Sequence, residues 1–197
     1  MTCWREAPVL RGAHVTLRPL VREDGPGLVA AAAAGKLWDT YYAGVSKLTD
    51  IDAWYAEVFA ERDYGRAMPF TVIDPAGDII GTTRFMRMNE ANRRLEIGGT
   101  FYAITAQRTG VNTEAKLLLL RHAFEVLGCN VVQIRTDWFN RRSQAAIERL
   151  GARRDGVLRA HQVMRDGRVR DVVVYSILAS EWRGVEQNLQ FLLARHD

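Results

Sequence analysis

The sequence predicts an α+β domain built on a mixed, mostly antiparallel sheet of seven strands. Three observations carry the prediction. Residues 70–104 and 157–178 hold β-rich runs separated only by turn residues, which makes their strands antiparallel. The clearest amphipathic helix, residues 113–127, lies between the strands at 93–104 and 131–137, fourth and fifth in order, so those two run parallel. The 197 residues, 48% hydrophobic and 25% charged, suit a single globular domain over 1–197, with residues 1–8 as a flexible tail.

Each element has a local cause. Residues 14–20 alternate apolar and polar side chains, and Pro19 near their end suits an edge strand. Asp24 and Pro26 open a helix that an alanine-rich run continues and Gly35 ends. From Asp50 to Arg62, Ile51, Trp54, Tyr55, Val58 and Phe59 share one helical face. The runs 70–74 and 79–88 flank the turn Pro75-Ala76-Gly77-Asp78. The strand 93–104 contains Gly98-Gly99, which predicts a bulge or a close backbone approach. Leu117, Leu120, Phe124 and Leu127 line the helix 113–127, with Gly128 as its stop. A strand at 131–137, a helix at 141–150, a hairpin of 157–164 and 169–178 about Asp166-Gly167, and a helix from Glu181 complete the chain.

The totals narrow the classes of function. The longest apolar run, residues 117–120, is far short of the roughly 20 residues of a membrane span. The opening residues lack a signal peptide's apolar core, so a cytoplasmic location and no membrane partner are expected. Cys3 and Cys129 form neither a disulfide framework nor a metal spacing, and no metal is expected. A net charge of +4 permits an anionic partner without requiring one. The pairs Arg93-Arg94, Arg141-Arg142 and Arg153-Arg154 lack the interleaved aromatics of a nucleic-acid platform.

Chemistry concentrates at Gln107-Arg108-Thr109-Gly110-Val111-Asn112-Thr113, between a long strand and the best helix. Backbone N–H groups there have no helical acceptors and carry the positive end of the helix dipole, a pocket for phosphate oxygens. A plain connecting loop is the alternative, and no Walker sequence is present.

Here the chain resembles the GNAT N-acetyltransferases, whose loop reads Gln/Arg-x-x-Gly-x-Gly/Ala. Gln107 and Gly110 match, whereas Asn112 replaces the small residue, with a helix N-cap as its physical substitute. Asn140 to Ser143, Ile147 to Ala152, Asp155 to Arg159 and Arg170 to Ser176 are similar to the ribosomal-protein N-terminal acetyltransferase (RimJ/RimL-like) branch. The resemblance covers residues 9–183. It implies a GNAT-like sheet with helices on both faces, a splay between the fourth and fifth strands, and acetyl-CoA bound in that splay.

On that resemblance Phe101, Tyr102, Ala103 and Ile104 offer backbone groups to pantetheine. Arg108, Thr109, Gly110, Val111, Asn112 and Thr113 hold the pyrophosphate, and Asn140 and Ser143 stand near the thioester. Asn140 is equally a cap for the following helix. Attack of an amine needs a base, and Glu96, eleven residues before Gln107, occupies the offset of one GNAT branch's catalytic glutamate. Pairing with Arg93 or Arg94 is its structural alternative. His161 is the second candidate base, against a surface histidine. Ile147 stands where many relatives have an acid tyrosine, which leaves Ser143 as the substitute. No cysteine–histidine pair or Gly-x-Ser-x-Gly elbow supports a covalent route.

The fold implied by the resemblance reads its acceptor with the first two helices and the last hairpin. Trp38, Tyr41, Tyr42, Trp54 and Tyr55 enrich the first of these in aromatics, which core packing also explains. A protein N-terminus, an amino acid or peptide, a polyamine or another small amine fits as the partner, with the enzyme a monomer or homodimer. A catalytically silent acyl-CoA-binding protein and a nucleic-acid binder are the other classes, although no nucleic-acid partner is expected.

Overall fold

The computed structural model describes residues 4–39, 48–164 and 166–195. In chain order these form β1 (Leu10–Arg11), β2 (Thr16–Pro19), α1 (Gly25–Ala33), α2 (Ile51–Asp63), β3 (Met68–Ile73), β4 (Ile79–Asn89) and β5 (Arg94–Tyr102). There follow α3 (Val111–Arg121), β6 (Val131–Asp137), α4 (Arg141–Arg149), β7 (Arg153–Val163), β8 (Val169–Leu178) and α5 (Trp182–Leu193). Tyr41, Tyr42 and Cys3, singled out in the sequence, lie outside the described residues.

The strands make one sheet in the order β1-β2-β3-β4-β5-β6-β8-β7. Every neighbouring pair is antiparallel except β5–β6, which is parallel, as the helical crossover requires. The sheet has eight strands where seven were expected, because Leu10 and Arg11 pair with Leu17 and Thr16. That turn is fixed from a distance: Glu114 of α3 accepts the N–H groups of Ala13, His14 and Val15 at 2.8, 2.6 and 2.8 Å. The expected tail is also shorter than 1–8, since Trp4 is buried in the core at 4% exposure.

Neighbours on β3 show which helices cover which face. Thr71 meets Asp24, the residue before α1, through a 2.5 Å hydrogen bond, whereas Phe70 packs edge-on against Phe85, which stacks on His122 after α3. Successive strand residues point to opposite faces, so α1 and α3 lie on opposite sides of the sheet. Tyr175 on the α3 side donates to Glu148 of α4 at 2.9 Å, placing α4 there too. The core on that side includes Phe85, Leu95, Ile97, Leu119, Leu120 and Ile177, each at 1% exposure or less except Leu95 at 2%. Burying side chains of this size contributes about 1.5–3 kcal/mol each.

Three boundaries depart from expectation for identifiable reasons. The helix expected at 113–127 begins at Val111 and changes at His122–Val126 into a wide π turn, closed by Leu127 N–H donating to His122 C=O. The widened turn presents His122 to Phe85 and Phe124 to Trp182. β7 starts at Arg153 because Arg153 and Arg154 pair with Ser176 and Tyr175, a polar edge run that carries no hydrophobic alternation. β5 stops at Tyr102, where a 3-10 turn, Ile104–Ala106, takes over.

Candidate active site

β5 and β6 pair only through Arg94–Val131, Leu95–Val132 and Glu96–Gln133. Beyond Glu96 the two strands part, although β5 continues to Tyr102 and β6 to Asp137. The sheet therefore opens into a gap whose apex is Glu96. A bulge adds to the divergence: the β4–β5 register shifts between Thr82 and Arg84, and Gly99 adopts φ +57°. This is the irregularity expected from Gly98-Gly99.

The β5 lip of the gap offers backbone. Ala103 N–H turns toward β4 and donates to Ile80 C=O at 2.7 Å, so alternation turns the backbone of Tyr102 toward the gap. Of the four residues expected to offer backbone to pantetheine, Tyr102 turns its backbone to the gap, while Phe101 and Ala103 face β4 and Ile104 enters the 3-10 turn. Gln107 donates from Nε2 to Tyr102 C=O at 3.0 Å and accepts from Arg142 Nη2 at 2.6 Å. These bonds tie the loop to α4 across the mouth of the gap.

Arg108 sits at φ +64°, and Gly110, two residues on, is in the right-handed region at the start of α3. Among the described residues, the N–H groups of Arg108, Thr109, Gly110, Asn112 and Thr113 have no acceptor, and that of Val111 has only the 3.3 Å contact to Thr109 Oγ1. Gly110, not Asn112, is the residue preceding the helix, which corrects the expected cap. The side chains of Val111 and Thr113 are buried at 7% and 0%, so these two residues present backbone alone. An added Cβ on Gly110 would lie 3.0 Å from the His14 ring, which puts that histidine beside the loop. The donors present thus fit the diphosphate of a nucleotide cofactor.

Lys116, one turn into α3, is buried at 6% exposure and donates to Thr100 Oγ1 at 3.1 Å. The Thr100 and Thr83 hydroxyls are hydrogen-bonded at 2.7 Å. Burial pushes the Lys116 ammonium pKa down to about 7.

At the apex, Glu96 is buried at 5% exposure and does not pair with Arg93 or Arg94. Its Oε2 instead meets Arg87 Nη1 at 2.6 Å and Arg135 Nε at 3.1 Å. Arg135 lies two residues beyond Gln133, and period-2 alternation keeps Gln133, Arg135 and Asp137 on Glu96's face. The Asp137 side chain, fully buried, accepts Arg168 Nη2 at 2.9 Å on Oδ2 and Phe139 N–H on Oδ1, and Arg170 Nε lies 3.4 Å from Oδ2 as an ion pair without a hydrogen bond. Arg84, on the same face of β4, feels Glu57 and Glu61 of α2 as well as Glu96.

Asn140 caps α4, its Oδ1 accepting Ser143 N–H at 3.0 Å, so the capping reading holds. Half-buried Ser143 stands in the first turn of α4, where the positive end of a helix dipole suits a thiolate. Ile147 is a core residue at 5% exposure. His161 is exposed on the edge strand β7, within the register shift between Leu158 and Gln162. Trp54 and Tyr55 pack in the core at 7% and 2% exposure. Cys129 is a buried free thiol, its pKa pushed up to about 12 by burial.

The sequence reading missed Arg84, Arg87, Arg135, Arg168, Arg170 and Asp137. A faint signal existed in Gln133, Arg135 and Asp137, polar residues at period 2 inside an apolar strand. The arginine pairs it did single out do other work. Arg141 and Arg154 lie over the Trp138 ring at 4.6 and 5.2 Å, and Arg153 meets Glu181 at 3.1 Å.

The GNAT acetyltransferase domain family matches residues 14–153. The chain belongs to that family and is an acetyl-CoA-dependent N-acetyltransferase, with acetyl-CoA as cosubstrate. YdaF of Bacillus subtilis, provisionally named a ribosomal N-acetyltransferase, is 33% identical over 108 residues, a match spanning 55% of this chain and 58% of that protein. A GCN5-related N-acetyltransferase from Brucella melitensis has a crystal structure 31% identical in sequence, with a TM-score of 0.81, covering 95% of this chain and 86% of that one. Mycobacterium smegmatis RimJ, solved in complex with CoA-disulfide, shares the fold at 23% identity and a TM-score of 0.78, covering 100% and 98% of the two chains. Among the described residues, no helix is long and apolar enough to cross a membrane, and no cluster of ligating side chains could hold a metal.

Proposed function

We propose that the protein transfers the acetyl group of acetyl-CoA to a primary amine by direct attack in a ternary complex, with the reacting carbon at the apex of the β5–β6 gap. The observation that carries this reading is the parting of the strands immediately after buried Glu96, with a loop of unpaired N–H groups leading into α3. The N–H groups of residues 108–113 hold the pyrophosphate, and the Tyr102 backbone pairs with pantetheine.

Glu96 takes one proton from the acceptor's ammonium group, and the neutral amine then attacks the thioester carbonyl. As the tetrahedral adduct collapses and the C–S bond breaks, its nitrogen gives up a second proton, which becomes the one delivered to sulfur. Arg87 and Arg135 fix the carboxylate's position. Holding the amine in place for attack is part of its role. Ser143 and the N-terminus of α4 stabilise the departing thiolate, and the hydroxyl relays the proton that the sulfur takes.

Release of free CoA from acetyl-CoA, measured against a panel of amines, amino acids and peptides, tests the reading. Turnover with at least one primary amine is expected. Stabilisation by acetyl-CoA without turnover on any amine would mark a silent acyl-CoA binder instead.

A further inference from the structure

We propose that Arg87, Arg135, Arg168 and Arg170 bind an anionic group of the acceptor, a carboxylate or a phosphate, so that the preferred substrates are amines carrying negative charge within a few bonds of the nucleophilic nitrogen. The inference rests on the reading of Glu96 as the place where the amine is held, and it narrows the acceptor class.

Among the described residues, Arg87 and Arg135 meet the Glu96 carboxylate, and Arg168 and Arg170 meet that of Asp137. Each carboxylate meets both of its arginines through a single oxygen, so none of the pairs is the bidentate fork that satisfies a guanidinium best. The Nε atoms of Arg135 and Arg170 are buried without a hydrogen bond among the described residues. Both side chains are 17% exposed, so water does little to compensate them. Burial, reinforced by Arg168 and Arg87, holds the Arg170 guanidinium below its ordinary pKa against the pull of Asp137 and Glu96.

Buried guanidinium donors left without a hydrogen bond, as at Arg135 and Arg170, are costly unless a partner arrives to meet them. Arg84 adds to the field from β4, although Glu57 and Glu61 of α2 offset it. The cluster also adjoins the reaction: Arg135 Nε lies 3.1 Å from Glu96 Oε2. An anion meeting Arg135 and Arg170 would therefore sit beside an amine held at Glu96. The same field disfavours polyamines, whose extra ammonium groups would face the guanidiniums.

Two measurements test this together. Protein saturated with CoA, so that the α3 loop is filled, is titrated with sodium phosphate or sodium acetate at ionic strength held constant with chloride, and the melting temperature is followed. One of the two anions is expected to raise it beyond chloride, with the apparent affinity falling at least tenfold in Arg170→Gln and in Arg87→Gln. In the turnover arm, β-alanine is compared with β-alaninamide, and O-phosphoethanolamine with ethanolamine. The charged member of at least one pair is expected to have a tenfold or greater advantage in kcat/KM, and the preferred pair distinguishes carboxylate from phosphate. That advantage should collapse in Arg170→Gln.

Neutral members equal to or better than charged ones in both pairs, or an advantage unchanged in both variants, would overturn the inference while leaving acetyl transfer intact. A protein that CoA does not stabilise and that acetylates nothing would sink the acetyl-transfer reading, and this inference with it.

Discussion

The two sides of the β5–β6 gap are built from different materials. On the α3 side the donors without an acceptor are backbone: the N–H groups of Arg108, Thr109, Gly110, Asn112 and Thr113, with the Tyr102 peptide turned to the same gap. On the Glu96 side they are charged side chains drawn from β4, β5, β6 and β8, held to one another by ion pairs. Backbone donors can recognise a diphosphate whatever the local side chains, whereas an acceptor must be recognised by groups that differ from one enzyme to the next. The difference implies that substitutions on one side should leave the other side's ligand largely unaffected.

The strongest break in that separation would come from Glu96→Gln. It should lower kcat by about 100-fold or more, the usual scale for losing a positioned acid–base group, while acetyl-CoA affinity by calorimetry changes by less than about threefold. Loss of both together would mean that the two sides are one unit.

Next in size, Asp137→Asn should remove the shared counter-charge of Arg168 and Arg170. Destabilisation of about 2–4 kcal/mol by denaturant unfolding is expected, since a partner is removed from a buried ion pair. An unchanged unfolding midpoint would show that solvent already screens those arginines.

The smallest effect concerns Lys116, on the cofactor side. In the unfolded chain a lysine keeps its proton to about pH 10.5, whereas in the fold burial brings the pKa to about 7. Between those values the unfolded state binds more protons, so this group makes stability rise with pH and fall as pH drops toward 7. Lys116→Met should raise the melting temperature at pH 7 and flatten its pH dependence over that window. A lower melting temperature at every pH would show that the bond to Thr100 outweighs the cost of burial.

The same contrast explains what could be read from the sequence. The α3 loop is contiguous, with Gln107, Gly110 and the helix start at short spacing, so its strand–loop–helix pattern is legible in the sequence. Most elements were legible because period 2 and period 3.6 are local properties. The short β1 strand depends on Glu114, about a hundred residues away, and the β7 extension depends on pairing with β8, so neither leaves a local pattern. The arginine cluster fails to show for the same reason. Its members lie at positions 87, 135, 168 and 170, and an arginine alternating in a strand reads as a solvated residue until strand order brings four of them together. Glu96 stands out in the sequence by its offset from Gln107, as the resemblance implies, and its alternative, pairing with Arg93 or Arg94, does not hold. Those are sequence neighbours, whereas Arg87 and Arg135 come from adjacent strands.

The central claim is that backbone on one lip of the gap holds acetyl-CoA while side chains at the apex hold the acceptor. Amide-resolved NMR of the protein titrated with CoA tests it most directly. The N–H signals of Tyr102, Arg108, Thr109, Gly110, Asn112 and Thr113 should shift most and exchange more slowly with solvent, while those of β7 and β8 stay in place. Saturable binding that leaves these amides unmoved, or that shifts the Arg168–Arg170 region instead, would contradict the account.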